Sequence, residues 1–285
     1  MKLHPIETGF LKLDGGAMFG IVPKSIWHRR QPADERNLCT WALRCLLIEL
    51  DDRLILVDTG IGDKIDDTFR KHFEPHGKAT LRSSLAAAGF QPEDITDVFL
   101  THLHFDHAGG ATCYDENRQL VPAFPNATYW TNDLHYQWAL HPNARERASF
   151  VKANFVPLEN LGLMRYLEVT EEPIDWLPGI RVQFVYGHTE AMMLLHLMQG
   201  EQHLVYCADL IPSSFHIGLP YIMSYDVRPL KTLQEKTSLL EQAAEHHWLL
   251  FFEHDPTTSC ATVKRTEEGR IELDRAVELA EVWLP

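Results

Sequence analysis

Four side chains with strong affinity for metal ions, His102, His104, Asp106 and His107, stand within the ten residues THLHFDHAGG at 101–110. Imidazole and carboxylate suit Zn, and also Fe, Mn or Co. His102 and His104 are two apart, so on an extended segment both rings point the same way and can reach one ion. A turn after Phe105, ahead of the Gly109–Gly110 pair, can aim Asp106 and His107 at a second point nearby. A polar, histidine-rich loop rarely reaches this density, so the stretch predicts a metal site.

Four ligands in one loop do not complete a two-metal centre, so other elements must supply the rest. Strand-like runs recur along the chain: ALRCLLIEL (42–50), RLILVDTG (53–60), DVFLTH (97–102), ATYW (127–130), IRVQFVYGH (180–188), HLVYCAD (203–209) and WLLFFEH (248–254). The first two flank Asp51-Asp52 and predict a hairpin. Helical patterns lie between others. TLRSSLAAAG (80–89) ends on a capping Gly89, and 229–247 carries Leu230, Leu233, Leu240 and Ala244 at near-helical spacing behind Pro229. This mixed order predicts sheets covered by helices rather than a simple parallel sheet. Several apolar runs stop at a coordinating residue: His102 after VFLT, His188 after FVYG, Asp209 after LVYCA and His254 after LLFFE. Strand ends on one rim of a sheet are where α/β proteins place their sites. His188, Asp209 and His254 are therefore the candidates for the missing ligands. His196, inside LLHLM, is expected on a strand, and His72, His76, His135 and His141 are expected to be solvated or structural.

The bulk properties narrow the function classes. The chain has 285 residues, enough for one large domain or two small ones, and a net charge of -14 with no basic stripe. This disfavours nucleic acid as a partner and anionic membranes as a surface. The five cysteines, Cys39, Cys45, Cys113, Cys207 and Cys260, are odd in number and form no CxxC pair, which predicts reduced thiols and a cytoplasmic protein. The start shows no signal-peptide pattern, and no run of about 18 apolar residues predicts a membrane span.

HLHFDH at 102–107 resembles the HxHxDH motif of the metallo-β-lactamase superfamily. LVDTG at 56–60, GHT at 187–189, CADL at 207–210 and EHD at 253–255 resemble its other landmarks, in the family's order, over residues 40 to 260 or so. The resemblance implies an α/β (α+β) fold, an αββα sandwich of two mixed β-sheets flanked by helices, as a single domain over 1–285. The segment 1–40 would lie near the substrate entrance. It further implies that His102, His104 and His188 hold a first metal, that Asp106, His107 and His254 hold a second, and that Asp209 bridges both. Asp58 would orient a ligand histidine. GHTEAMM replaces the GHTPG of many members, so Glu190 is expected at a turn or rim rather than on a metal.

The implied cofactors are two divalent ions, zinc foremost, with Mn, Fe and Co as alternatives. They would share a bridging hydroxide that attacks an ester-like bond. Asp209 would place the ions, and Asp106 would also carry a proton to the leaving group. Substrate choice falls to 14–27 and 210–230, where Met18, Phe19, Trp27, Phe215, Leu219 and Tyr221, with Phe105, would line a mostly apolar pocket, and His216 is a candidate oxyanion donor. DGGAMFG…PK, HLHFDHAGG and ADL.P followed by YD are similar to the YtnP-type quorum-quenching lactonases and to methyl parathion hydrolase. A lactone of the N-acyl homoserine type is the leading substrate, with an organophosphate triester as the alternative. The homoserine-lactonase subgroup with a tyrosine three positions after the bridging aspartate fits less well, because that position is Pro212. Glyoxalase II-like thioester hydrolysis calls for a basic cluster, whereas Lys264, Arg265, Arg270 and Arg275 are scattered among acids. A mononuclear iron dioxygenase would use only three of the ligands. The expected partner is a small-molecule ester or lactone, with no nucleic acid and no membrane; a homodimer is left open.

Overall fold

The hairpin expected around Asp51-Asp52 forms: β2 (Leu38–Leu50) runs antiparallel to β3 (Arg53–Val57), and Asp51 takes the left-handed conformation that closes the turn. Residues Trp41 to Ile48 of β2 are all buried, the burial expected of a strand covered on both faces. The computed structural model describes residues 1–283. Around the hairpin, β1 (Lys2–Asp14), β2, β3, β4 (Asp97–Phe99), β7 (Thr128–Asn132) and β8 (Met164–Leu167) form a six-stranded mixed sheet in the order β1-β2-β3-β4-β7-β8. The short strands β5 (Thr112–Tyr114) and β6 (Leu120–Pro122) pair separately.

A second, seven-stranded sheet follows in the order β15-β14-β13-β12-β11-β10-β9. Its strands are β9 (Ile174–Leu177), β10 (Ile180–Val185), β11 (Met192–Gln199), β12 (Gln202–Tyr206), β13 (Leu249–Phe251), β14 (Cys260–Arg265) and β15 (Ile271–Val277). Only β12 and β13 are parallel neighbours within it, because the 18-residue helix Pro229–His246 connects them as a crossover. His196 lies on β11, as its context predicted.

Chain contacts divide the protein into two compact units, one of Met1–Gly9 with Leu43–Val169 and one of Phe10–Ala42 with Thr170–Trp283. In the first, Leu47, Leu56, Val98, Tyr129 and Phe155 belong to one buried apolar cluster. In the second, the long helix departs from its sequence reading. Leu230 is 76% exposed, and the buried face is Thr232, Lys236, Leu239, Leu240 and Ala243. Of the four positions read from the spacing, Leu240 is buried, Leu233 and Ala244 are half-buried, and only Leu230 is exposed, because a lysine shares the buried row. The other expected helix forms as Leu81–Ala87, capped at its N-terminus by the Thr80 side chain. Among the described residues, no helix is long and apolar enough to cross a membrane.

Candidate metal centre

In the first unit the short parallel strand β4 delivers the chain to Leu100, and the ligand stretch begins two residues later. His104 stands at the N-terminus of the one-turn helix Phe105–Ala108, which places Asp106 and His107 on its first turn. All four side chains are buried. Ligand atoms of His102 and His104 lie within 4.8 Å of each other, as do those of Asp106 and His107. Gly109 ends the turn because backbone crowds it: a Cβ there would sit 2.3 Å from the Ile61 carbonyl oxygen.

Asp58 fixes this loop from below. Its backbone is left-handed, with φ of 57°, and its carboxylate accepts from the Thr101 amide at 2.8 Å and the Thr101 hydroxyl at 2.7 Å. The same carboxylate faces His107 Nδ1 at 3.1 Å, while His102 Nδ1 reaches the Thr101 hydroxyl at 3.1 Å. Asp58 thus orients His107 directly and His102 through Thr101, leaving Nε2 of each ring for a metal. Two further supports gave no sequence signal. His135 Nε2 accepts from the Leu103 amide at 2.8 Å, pinning the residue between His102 and His104. The buried Glu146 places Oε1 3.8 Å from His104 Nε2, and Phe150 packs on the same ring at 4.7 Å.

In the second unit the three coordinating residues follow strands β10, β12 and β13, as the strand-end pattern predicted. Asp209 is the centre of this half. Its Oδ2 lies 3.1 Å from His188 Nε2 and its Oδ1 lies 3.1 Å from His254 Nε2. His254 Nδ1 is 2.8 Å from the Ala42 carbonyl oxygen. A carbonyl only accepts, so Nδ1 carries a hydrogen, and Nε2 is the nitrogen that faces Asp209. His188 Nδ1 is likewise 2.8 Å from the buried Asp226 carboxylate. Each carboxylate oxygen of Asp209 therefore faces an imidazole nitrogen whose own hydrogen is used elsewhere. Two imidazoles and a buried carboxylate this close need positive charge between them, a proton or a cation, and the donor set of imidazole and carboxylate suits a divalent metal. The His188 side chain expresses the same demand. Burial alone would lower its pKa, but the charges of Asp209 and Asp226 outweigh burial and hold it at about 10.

The sequence profile of the Metallo-beta-lactamase superfamily matches residues 44–254. The chain belongs to the metallo-β-lactamase superfamily. It has that superfamily's αββα fold and is a metal-dependent hydrolase. It is similar to an N-acyl homoserine lactonase of Bacillus thuringiensis, 25% identical over 267 residues that cover 89% of this chain and 93% of the relative. It is also similar to a probable metallo-hydrolase of Mycobacterium tuberculosis, 27% identical over 250 residues that cover 75% and 76%. Among solved structures, a probable metal-dependent hydrolase from Staphylococcus aureus matches with a TM-score of 0.86 and 26% identity, over 97% of this chain and 96% of that one. AidC, a dizinc quorum-quenching lactonase, matches with a TM-score of 0.77 and 22% identity over 97% and 94%, a likeness of fold.

For this superfamily member, the candidate pocket residues fall into two groups. Met18, Phe19, Trp27 and His216 are fully buried, which departs from a free pocket lining. Phe19 stacks between Trp27, at 5.1 Å, and His216, at 5.2 Å, so these rings are packing. His216 Nε2 donates to the Met18 carbonyl at 2.9 Å and Nδ1 accepts from the Ser213 hydroxyl at 2.7 Å, so the ring as placed offers an oxyanion no donor. Phe215 and Tyr221 are half-buried and Leu219 is 37% exposed, so these three do present surface. In the first unit, Phe105 is half-buried against Phe69, at 5.1 Å, and Phe73, at 4.9 Å. Glu190 pairs with Arg228 at 2.5 Å. Pro212 contributes only its carbonyl, which accepts from the His254 amide at 2.9 Å.

Proposed function

We propose that this hydrolase is a dinuclear lactonase whose substrate is a neutral lactone of the N-acyl homoserine type. His102, His104 and His188 would hold one ion, Asp106, His107 and His254 would hold the other, and Asp209 would serve both. The observation that carries this reading is the Asp209 carboxylate, with one oxygen 3.1 Å from each of two oriented imidazoles. When bound, two divalent ions supply Lewis acidity and a hydroxide nucleophile at neutral pH. Zinc is the ion we assign, in keeping with the dizinc lactonase of the same fold.

The chain's own residues do the rest. Asp58, Thr101 and Asp226 hold the histidine rings in one orientation. Asp106, at 9% exposure, keeps an edge open and would carry a proton to the leaving alkoxide. Phe105 with Phe69 and Phe73, and Phe215 with Leu219 and Tyr221, offer apolar contact for an acyl chain. The lactonase relatives of Bacillus thuringiensis support the substrate class. Because the family match spans both compact units, residues 1–285 are read as one domain, with 1–40 toward the substrate entrance. The five free cysteines support a cytoplasmic setting, and a quorum-quenching role would follow from the lactone substrate.

The test is metal analysis followed by a hydrolysis panel on zinc-loaded protein. The panel holds acyl homoserine lactones of several chain lengths, γ- and δ-lactones, an aryl phosphotriester, a β-lactam and lactoylglutathione. Two ions per chain with lactone turnover is the expected result. One iron and no second metal sinks the dinuclear reading, and fast thioester cleavage without lactone turnover sinks the substrate.

A further inference from the structure

The helix Pro229–His246 turns one face toward two segments that matter to the second unit's half of the centre. Thr232 packs on Gly187, where a Cβ would come within 2.3 Å of the Thr232 amide nitrogen. Glu235 accepts from the amides of Tyr186 and Gly187 at 2.8 and 3.0 Å. These two side chains brace the backbone just ahead of His188, whose ring Asp226 then orients. Lys236, the next residue on the helix, points elsewhere.

Lys236 is fully buried. Its ammonium donates to three backbone carbonyls: His216 at 3.0 Å, Gly218 at 3.0 Å and Tyr221 at 2.7 Å. An ammonium has three hydrogens, and here each has an acceptor. A leucine or methionine would fill this helix position without desolvating a charge, so the lysine has to do something that those residues cannot. What it does is satisfy three carbonyls of an irregular segment that neither helix nor sheet satisfies. The segment is tightly wound: a Cβ on Gly218 would come 2.9 Å from the Tyr221 ring. It carries Leu219 and Tyr221 of this unit's candidate pocket and follows Phe215 directly. Burial lowers the Lys236 pKa to about 7, with the Asp226 charge opposing, as expected for an enclosed ammonium.

We propose that Lys236 is a specificity-setting positioning residue: its ammonium fixes the conformation of segment 216–221 and thereby the surface that Phe215, Leu219 and Tyr221 present to the substrate. The division of labour along the helix is sharp. Thr232 and Glu235 serve His188, and Lys236 serves substrate choice. The identity of the substrate rests on the lactonase reading above, whereas the role of Lys236 in shaping the segment does not.

Two readouts on zinc-loaded wild type, Lys236→Met and Glu235→Gln test this. Hydrogen–deuterium exchange of Lys236→Met should rise about tenfold in peptides covering 216–222 and stay unchanged in those covering 186–190. Its KM for N-decanoyl homoserine lactone should rise about tenfold with kcat within about twofold and zinc content unchanged, the signature of lost substrate contact rather than lost chemistry. Glu235→Gln should do the reverse, weakening zinc binding and leaving 216–222 protected. Unchanged exchange at 216–222 in Lys236→Met overturns the proposal, as does a parallel loss of kcat and zinc. If wild type cleaves a triester or thioester and no lactone, the lactone reading fails, and the KM comparison is made on that substrate. If it cleaves nothing in the panel, the exchange result alone decides. Should Lys236→Met not fold, Lys236→Gln, which keeps an uncharged donor, carries the same comparison.

Discussion

The two halves of the candidate centre reach similar chemistry by opposite routes. In the first unit, four candidate ligands share one short loop, so spacing gathers them, an extended pair, His102 and His104, then a one-turn helix for Asp106 and His107, and Asp58 and His135 then fix the loop. In the second, His188, Asp209 and His254 follow three separate strands, and hydrogen-bond partners do the positioning. Asp226, the Ala42 carbonyl and Asp209 itself fix the two rings. The first half is local and the second is tertiary. The difference teaches that a ligand motif announces a metal, whereas the placement of Asp209 between two imidazoles depends on strands distant in sequence.

The largest expected effect breaks the tertiary half. Asp209→Ala should lower kcat/KM by more than about 100-fold, beyond the 10–100-fold range of residues that only orient ligands, and should lower metal content while circular dichroism stays native. Turnover within tenfold of wild type would remove Asp209 from the bridging position. The next effect compares the two orienting carboxylates. Asp58→Asn and Asp226→Asn should each weaken zinc binding by about 10–100-fold in a chelator competition. The loss should be greater for Asp58, because it reaches two rings, one directly and one through Thr101, whereas Asp226 reaches one. Equal losses would mean that Thr101 relays nothing.

A smaller effect distinguishes the halves by pH. In chelator-treated protein, the two carboxylates hold the His188 pKa at about 10, against its ordinary 6.5. A folded-state pKa raised in this way gives stability that is complete below about pH 6.5 and disappears as pH rises through about 10. The Tm difference between wild type and His188→Gln should therefore shrink across that window. A constant difference would show that the proton is not shared with Asp209 and Asp226. The smallest effect concerns the rim. Glu190→Ala removes a partly exposed ion pair with Arg228 and should change stability by less than about 1 kcal/mol and zinc content not at all. A lost ion would make Glu190 a ligand, against its expected place at the rim.

What was legible in the sequence follows the same local and tertiary divide. Strand-end placement singled out His188, Asp209 and His254, because an apolar run that stops at a coordinating residue is visible without a structure. The orienting role of Asp58 came from the family resemblance, and its hydrogen bonds agree with that role. Glu146, His135, Glu235 and Lys236 were not legible. Glu235 and Lys236 sit in LQEKTS, which reads as a solvated helix face, and only folding shows Lys236 to be buried on three carbonyls. Asp226 appeared in the sequence only as part of a YD pair. The aromatic run around Met18 and Phe19 was read as pocket lining, whereas a ring stack with Trp27 and His216 takes up that surface.

By itself, then, the sequence determined the metal chemistry, because ligand type and short-range spacing are properties of residues and of the local backbone. Only the tertiary structure decided which nitrogen each ring presents. The groups that take the other nitrogen lie far away in sequence, as with Asp58 for His107, Asp226 for His188 and Ala42 for His254. Hydrogen bonds of that kind are set by the path of the chain through the fold.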